Sequence, residues 1–194
     1  LPEMFSYLGP YDTFEDHVRK HHQETLALLK SWAKNYHVSL FAGSIPEPAE
    51  ASLDSKKVYN TCFLFSPEGQ EIGKYRKVHL FNLSDEKGND LYREENGFHR
   101  GTTPFHTLWQ EWQIGLGICY DLRFPEFFQS LKKSGPVDVL IIPSAFTKLT
   151  GAYHWEILLR AKAIEYQCYV IASNQVGNHY GTKESFGHSM IIDP

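Results

Sequence analysis

The spacing of hydrophobic positions changes several times along the chain, and each change marks an element. Over residues 13–36, Val18, Thr25, Leu29, Trp32 and Tyr36 recur at three- and four-residue steps or multiples of them, which predicts an amphipathic helix. Thr13 followed by Asp16 has the spacing of a capping box at its start. The run VSLFAGSIPE at 38–47 then reads as a buried strand. Residues 57–65 and 70–79 read as two strands joined by the turn SPEG, a hairpin in which Gly69 takes the backbone angle that other residues avoid.

Residues 82–104 are polar, rich in Asn, Asp, Glu and Gly, and keep no period. A structureless loop of that length is uncommon inside a compact domain unless it serves the site, so an active-site loop is expected there. Beyond it a regular rhythm predicts a strand at 112–119, a helix at 125–134, a strand at 137–143, a helix at 154–166, and strands at 168–174 and 187–192. That alternation predicts an α/β layered sheet. In HWEILLRAKAIEYQ the residues Trp155, Ile157, Leu158, Ala161, Ala163 and Ile164 surround most of the helix, so a second layer or a partner subunit is expected to cover it. Glu156 and Arg160 stand at i and i+4 and can pair. With no repeat, low-complexity stretch or linker, residues 1–194 read as a single domain.

The composition fits that reading: 194 residues with 42% hydrophobic and 14% aromatic side chains suffice for one packed core and argue against disorder. A net charge of −4, with no basic cluster beyond pieces such as KYRK, leaves no nucleic-acid footprint. The longest apolar runs, VLIIP and YVIAS, fall far short of the roughly 20 residues a membrane span needs. No signal peptide is recognisable. Cys62, Cys119 and Cys168 lie far apart and form neither a disulfide framework nor a CxxC pair, so a reducing, cytoplasmic setting and a small-metabolite enzyme are expected.

Among candidate chemical groups, Cys119 in GLGICYDLRFPE stands out. A lone cysteine is ordinarily inert core filling. Here it sits where a strand gives way to a helix, the side on which open α/β sheets form ligand crevices, and Gly115 and Gly117 before it let other groups approach. A thiol so placed can act as a nucleophile once something activates it. Ten histidines keep a Cys-His hydrolase or thioesterase open. A nucleophile elbow is disfavoured, because the glycine it needs two residues later is Asp121. Glu3, at what reads as a strand end, and Lys77, closing the second hairpin strand, each look ordinary alone: an exposed carboxylate and a solvated lysine. His17 and His21 share a helix face but lack the HExxH glutamate and a third ligand.

Taken in order, LPE, KYRKVHLF and GICYDLRFPE resemble the three signature blocks of the carbon-nitrogen hydrolase (nitrilase) superfamily. IPSAFTKLTGAYHWEILLRAKAIEYQCYVIASNQVG and GHSMIIDP resemble its Nit branch. The resemblance implies an α/β fold, the αββα four-layer sandwich, here without its first and last elements because family members carry further residues on both sides. It implies a triad of Glu3 as general base, Lys77 as oxyanion stabiliser and Cys119 as nucleophile. A second family glutamate falls on Glu94, seven residues before Gly101, with Glu95 as the neighbouring alternative.

The implied activity is hydrolysis of a small carboxamide, a dicarboxylate monoamide or a deaminated-glutathione-like molecule, to acid and ammonia through a cysteine thioester. No metal or organic cofactor is called for, and a homodimer through helices near Cys119 is expected. The implied pocket positions are Tyr7, Arg123, Phe146 and Thr150, with the Tyr120 N–H as a second oxyanion donor. Arg123 suits a bidentate bond to a substrate carboxylate, or else an ion pair with Asp121 or Glu126. Tyr7 and Phe146 suit pocket wall or core. A Cys-His enzyme and a non-catalytic interaction protein on the same scaffold remain as rivals.

Overall fold

The structure is a computed structural model that describes residues 1–50, 56–181 and 183–194. Helix α1 (Phe14–Tyr36) lays Phe14, Val18, His22, Leu29 and Ala33 along one buried stripe. Strands β1 (Leu40–Pro48), β2 (Val58–Phe65) and β3 (Glu71–Arg76) follow as an antiparallel sheet. Every residue of β2 is buried, because its two faces meet different layers. Phe63 and Phe65 pack with Leu29 and Ala33 of α1, whereas Cys62 and its cross-strand neighbour Tyr75 point into the main core. Burial on both sides extends to its polar residues, which find partners inside: Asn60 Nδ2 donates to Glu3 Oε1 at 2.8 Å and Thr61 Oγ1 to Glu47 Oε2 at 2.7 Å.

Strands β4 (Asn82–Ser84) and β5 (Asp90–Arg93) form a separate ribbon, and β6 (Phe98–His99) pairs in parallel with β2. The second sheet begins with the hairpin β7 (Phe105–Trp109) and β8 (Trp112–Leu116). Helix α2 (Pro125–Ser134) then leads to β9 (Val139–Ile141), and helix α3 (Lys148–Tyr166) to β10 (Tyr169–Ala172). A small hairpin of β11 (Val176–Asn178) and β12 (Glu184–Phe186) precedes β13 (Met190–Ile192), and the second sheet runs β13-β10-β9-β8-β7. β8, β9 and β10 are parallel, as strands joined by helical crossovers are.

With α1 outside the first sheet and α2 and α3 outside the second, the layer order is αββα. The main core joins Cys62 and Tyr75 of the first sheet to Leu116, Leu140 and Val170 of the second and to Trp155, Leu159 and Ala163 of α3. Two sheets meeting along twisted faces fill the space between them with side chains from both. No described helix is long and apolar enough to cross a membrane.

Several local expectations are corrected. Thr13 does not cap α1: its hydroxyl donates to Pro10 O at 2.6 Å and lies 2.5 Å from Tyr7 Oη, so no capping box forms. Tyr36 is exposed, because the stripe ends at Ala33 and the helix closes at His37 in a left-handed conformation. The stretch 82–104 is not structureless. Asp85 organises the β4–β5 turn by accepting from Lys87 and Asn89 N–H groups at 2.9 and 2.8 Å, an Asx-type turn. Helix α3 starts six residues before the expected 154, where Thr147 Oγ1 accepts the Thr150 N–H at 3.3 Å. The last strand is confined to three residues, and β7, β11 and β12 are additional. The hairpin at Gly69 forms as expected, with φ of +77°.

Candidate active site

Four loops converge where the parallel strands end. The segment carrying Glu3 forms a turn, not a strand end, and crosses β1 closely at Gly43: a Cβ there would stand 2.0 Å from Leu1 O and 2.2 Å from Pro2 O. Only glycine admits that approach. Lys77 follows β3, Glu94 follows β5, and Cys119 follows β8.

The side chains meet in one buried cluster. Lys77 Nζ, fully buried, donates to Glu3 Oε1 at 2.8 Å and lies 2.9 Å from Glu94 Oε2. Glu3 Oε1 also accepts from Asn60 Nδ2 at 2.8 Å, and Glu3 Oε2 from the Ala145 N–H at 2.8 Å. Glu94 Oε2 accepts the Phe81 N–H at 2.8 Å. Glu95 turns to Arg93 instead, at 3.0 Å. A small cavity of about 70 Å³ is lined by Glu3, Glu94 and Cys119 together with apolar Met4, Phe14 and Phe98.

Charge balance governs this cluster. Burial opposes the Lys77 ammonium, but Glu3, Glu94 and the Cys119 sulfur outweigh it and hold its pKa well above the ordinary lysine value. Burial pushes the Glu94 carboxyl up, Lys77 pulls against that, and Glu3 adds to the rise. Burial, then the Glu3 charge, lifts the Cys119 thiol well above its ordinary 9.0, with Lys77 opposing. One cation facing two carboxylates already leaves an excess negative charge, so a resting thiolate would add a second. The thiol is therefore neutral at rest. Losing its proton to a carboxylate in the same cluster leaves the total charge unchanged.

The backbone at Cys119 is unusual. Its φ of +47° lies in the left-handed region, which costs a residue with a Cβ roughly 1–2 kcal/mol. Such strain persists only where surroundings over-determine it, and it concentrates at functional sites. The Cys119 N–H donates to Pro143 O at 3.0 Å, tying the turn to the end of the neighbouring strand. Asp121 fixes it from the other side. Fully buried, it accepts from the Ile118 N–H at 2.8 Å, the Tyr75 hydroxyl at 2.6 Å and the His79 N–H at 3.0 Å, with His79 Nδ1 2.7 Å away. An elbow thus forms without the glycine its sequence pattern requires. Gly115 and Gly117 leave space that Leu140 and Phe127 occupy.

A second recess opens from the same cysteine, lined by Tyr120, Arg123, Phe146 and Thr150. Arg123 pairs with neither Asp121 nor Glu126. Its Nη2 lies 3.0 Å from His154 Nδ1 and its guanidinium 5.4 Å from the Phe146 ring centroid. Phe146 is buried and packs on Trp155, serving core and recess wall at once. Tyr7 lines neither space: it stacks on His17 at 4.0 Å. The histidine in the first cavity, His179, has its Nε2 2.7 Å from Ser185 Oγ.

Residues of the β11–β12 hairpin, Tyr180 and Lys183 among them, also line that cavity and were not singled out from sequence. The readable signal is the turn-rich GNHYGTK between Val176 and Phe186, a hairpin pattern.

The sequence profile of the carbon-nitrogen hydrolase family matches residues 1–194. The deaminated glutathione amidase of Synechocystis sp. is 41% identical over all of this chain and 71% of its own length. Omega-amidase NIT2 of Mus musculus is 38% identical over all of this chain and 68% of its own. Among solved structures, the C. elegans NitFhit protein superposes with a TM-score of 0.90 at 35% identity, with this chain spanning 46% of it. The match is continuous from the glutamate turn through the lysine strand to the cysteine elbow, and the chain belongs to the carbon-nitrogen hydrolase family.

Proposed function

We propose that this chain hydrolyses a small linear carboxamide through a thioester on Cys119. The observation that carries the reading is the Lys77 ammonium held between Glu3 and Glu94 beside a buried thiol on a strained turn. Glu3 takes the Cys119 proton as sulfur adds to the amide carbonyl carbon. The C=O π pair moves onto oxygen, where Lys77 Nζ and the Tyr120 N–H supply donors; each such donor is worth on the order of 3 kcal/mol of barrier. Glu3 then protonates the nitrogen, the C–N bond breaks, and ammonia leaves. Water adds to the thioester with Glu3 again accepting a proton, and the acid departs as sulfur recovers its hydrogen.

Glu94 holds Lys77 in place and keeps it charged. Arg123, Phe146 and Thr150 shape one side of the substrate space. The names of the similar proteins, deaminated glutathione amidase and omega-amidase, support an acyl chain bearing a second acid group. Intact-mass measurement after incubation with a panel of carboxamides tests the reading directly: an acyl adduct on Cys119 is expected, and turnover that survives Cys119→Ala rejects it.

Thiol titration separates this reading from a Cys-His enzyme. The far-ultraviolet thiolate absorbance of the wild type minus Cys119→Ser is expected to stay flat up to pH 9.0 and rise only above it. An inflection several units lower, as an imidazolium-paired thiolate gives, restores the histidine alternative.

Homodimerisation through α3 belongs to the same proposal. Trp155, Leu159 and Ala163 face inward, while Leu149, Tyr153, Ile157 and Ile164 form an outer stripe with each residue at least 66% exposed. A self-complementary apolar stripe suits a twofold partner. Light scattering at micromolar concentration should give twice the chain mass, and Ile157→Glu should halve it. A wild-type monomer contradicts the dimer.

A further inference from the structure

The β11–β12 hairpin places Lys183 in the lining of the cavity that holds Cys119. Its Nζ stands 3.4 Å from the Tyr92 ring centroid and 6.0 Å from that of Tyr180, and it donates to Leu91 O at 2.8 Å. An ammonium has three donors. The Leu91 carbonyl takes one and the Tyr92 face covers another direction, which leaves one for a ligand.

Counter-charge is near it but not in contact. Among the described residues no ion pair involves Lys183; the neighbouring Glu184 pairs with Lys148 at 2.7 Å. Partial burial lowers its pKa below the ordinary lysine value, with the Glu94 charge opposing. A half-buried cation with no anion in direct contact is costly, and a lysine so placed is ordinarily paired. In the other recess, by contrast, Arg123 already leans on His154 and Phe146.

We propose that Lys183, framed by Tyr92 and Tyr180, recognises a carboxylate at the distal end of the substrate's acyl chain. The amide carbon then sits at Cys119 while the chain crosses the apolar floor of Met4, Phe14 and Phe98. This rests on the amide-hydrolysis reading of the same cavity, and it adds the residue that selects acidic over neutral acyl groups.

Calorimetric binding of succinamate and of butyramide to Cys119→Ala, two amides that match in chain length and differ by one distal carboxylate, tests the assignment without turnover. Cys119→Ala should bind succinamate about 10- to 100-fold more tightly, the range of a hydrogen-bonded charge contact. Adding Lys183→Met should remove that preference, and Lys183→Arg should keep most of it, which also controls for misfolding. Three results overturn the proposal: no preference in Cys119→Ala, a preference that persists with Lys183→Met, or one lost with Arg123→Met alone. Hydrolysis of succinamate and butyramide is followed in parallel. If neither is turned over, amide hydrolysis fails as the function, while the binding ratio still decides the role of Lys183.

Discussion

Cys119→Ala is expected to lower carboxamide turnover by about four to six orders of magnitude, the loss seen when a covalent nucleophile is removed, while the fold survives. The side chain lost is small, and the hydrogen bonds that shape the turn come from the Cys119 N–H, the Ile118 N–H and Asp121, which alanine leaves intact. Stability carries a second, sharper expectation. At φ of +47° alanine keeps the Cβ clash that glycine avoids, so Cys119→Gly should melt at or above Cys119→Ala. Elsewhere in folded proteins that order is usually reversed. Thermal melts of the two variants decide the matter, and a glycine variant several degrees lower would mean the turn is unstrained.

Lys77→Met should reduce both activity and stability. Loss of one oxyanion donor lowers turnover by about 10²- to 10³-fold. Removing the cation also leaves Glu3 and Glu94 buried without their shared partner, which costs about 3–5 kcal/mol near neutral pH. The pH dependence follows from the sign of the shift. Burial and the Glu3 charge hold the folded pKa of Glu94 above its ordinary value, and losing the opposing Lys77 charge raises it further, so the protonated, more stable form prevails at low pH and is lost as pH rises. Urea unfolding at about pH 5 and about pH 8 should show a smaller deficit at the lower value. Lys77→Met combined with Glu94→Gln should recover much of the stability and none of the activity. A single variant with wild-type turnover removes Lys77 from the mechanism.

Part of this arrangement can be read from sequence because Lys77 and Cys119 follow elements that the pattern marks: the hairpin around Gly69, whose second strand β3 ends just before Lys77, and β8, which ends shortly before Cys119. What escapes is local in appearance and non-local in cause. β4, β5, β11 and β12 are three or four residues long, too short for a hydrophobic period to mark them. Lys183 rides on one of these hairpins and passes for a surface lysine. Asp121 looks like a partner for Arg123 two residues away, yet its bonds go to Tyr75 and His79, more than forty residues distant. Tyr7, expected at the pocket, is drawn off by His17 and Thr13. Neither the left-handed turn at Cys119 nor the early start of α3 is written in composition or spacing.

Asp121 has a further bearing on how the molecule fails. A single carboxylate grips the elbow that presents sulfur, the tyrosine at the core of the first sheet, and the loop just beyond the ammonium. Thiol and amine therefore cannot drift apart one at a time. Heating has no half-assembled pocket to stop at: whatever loosens one sheet from the other dismantles the chemistry in the same step.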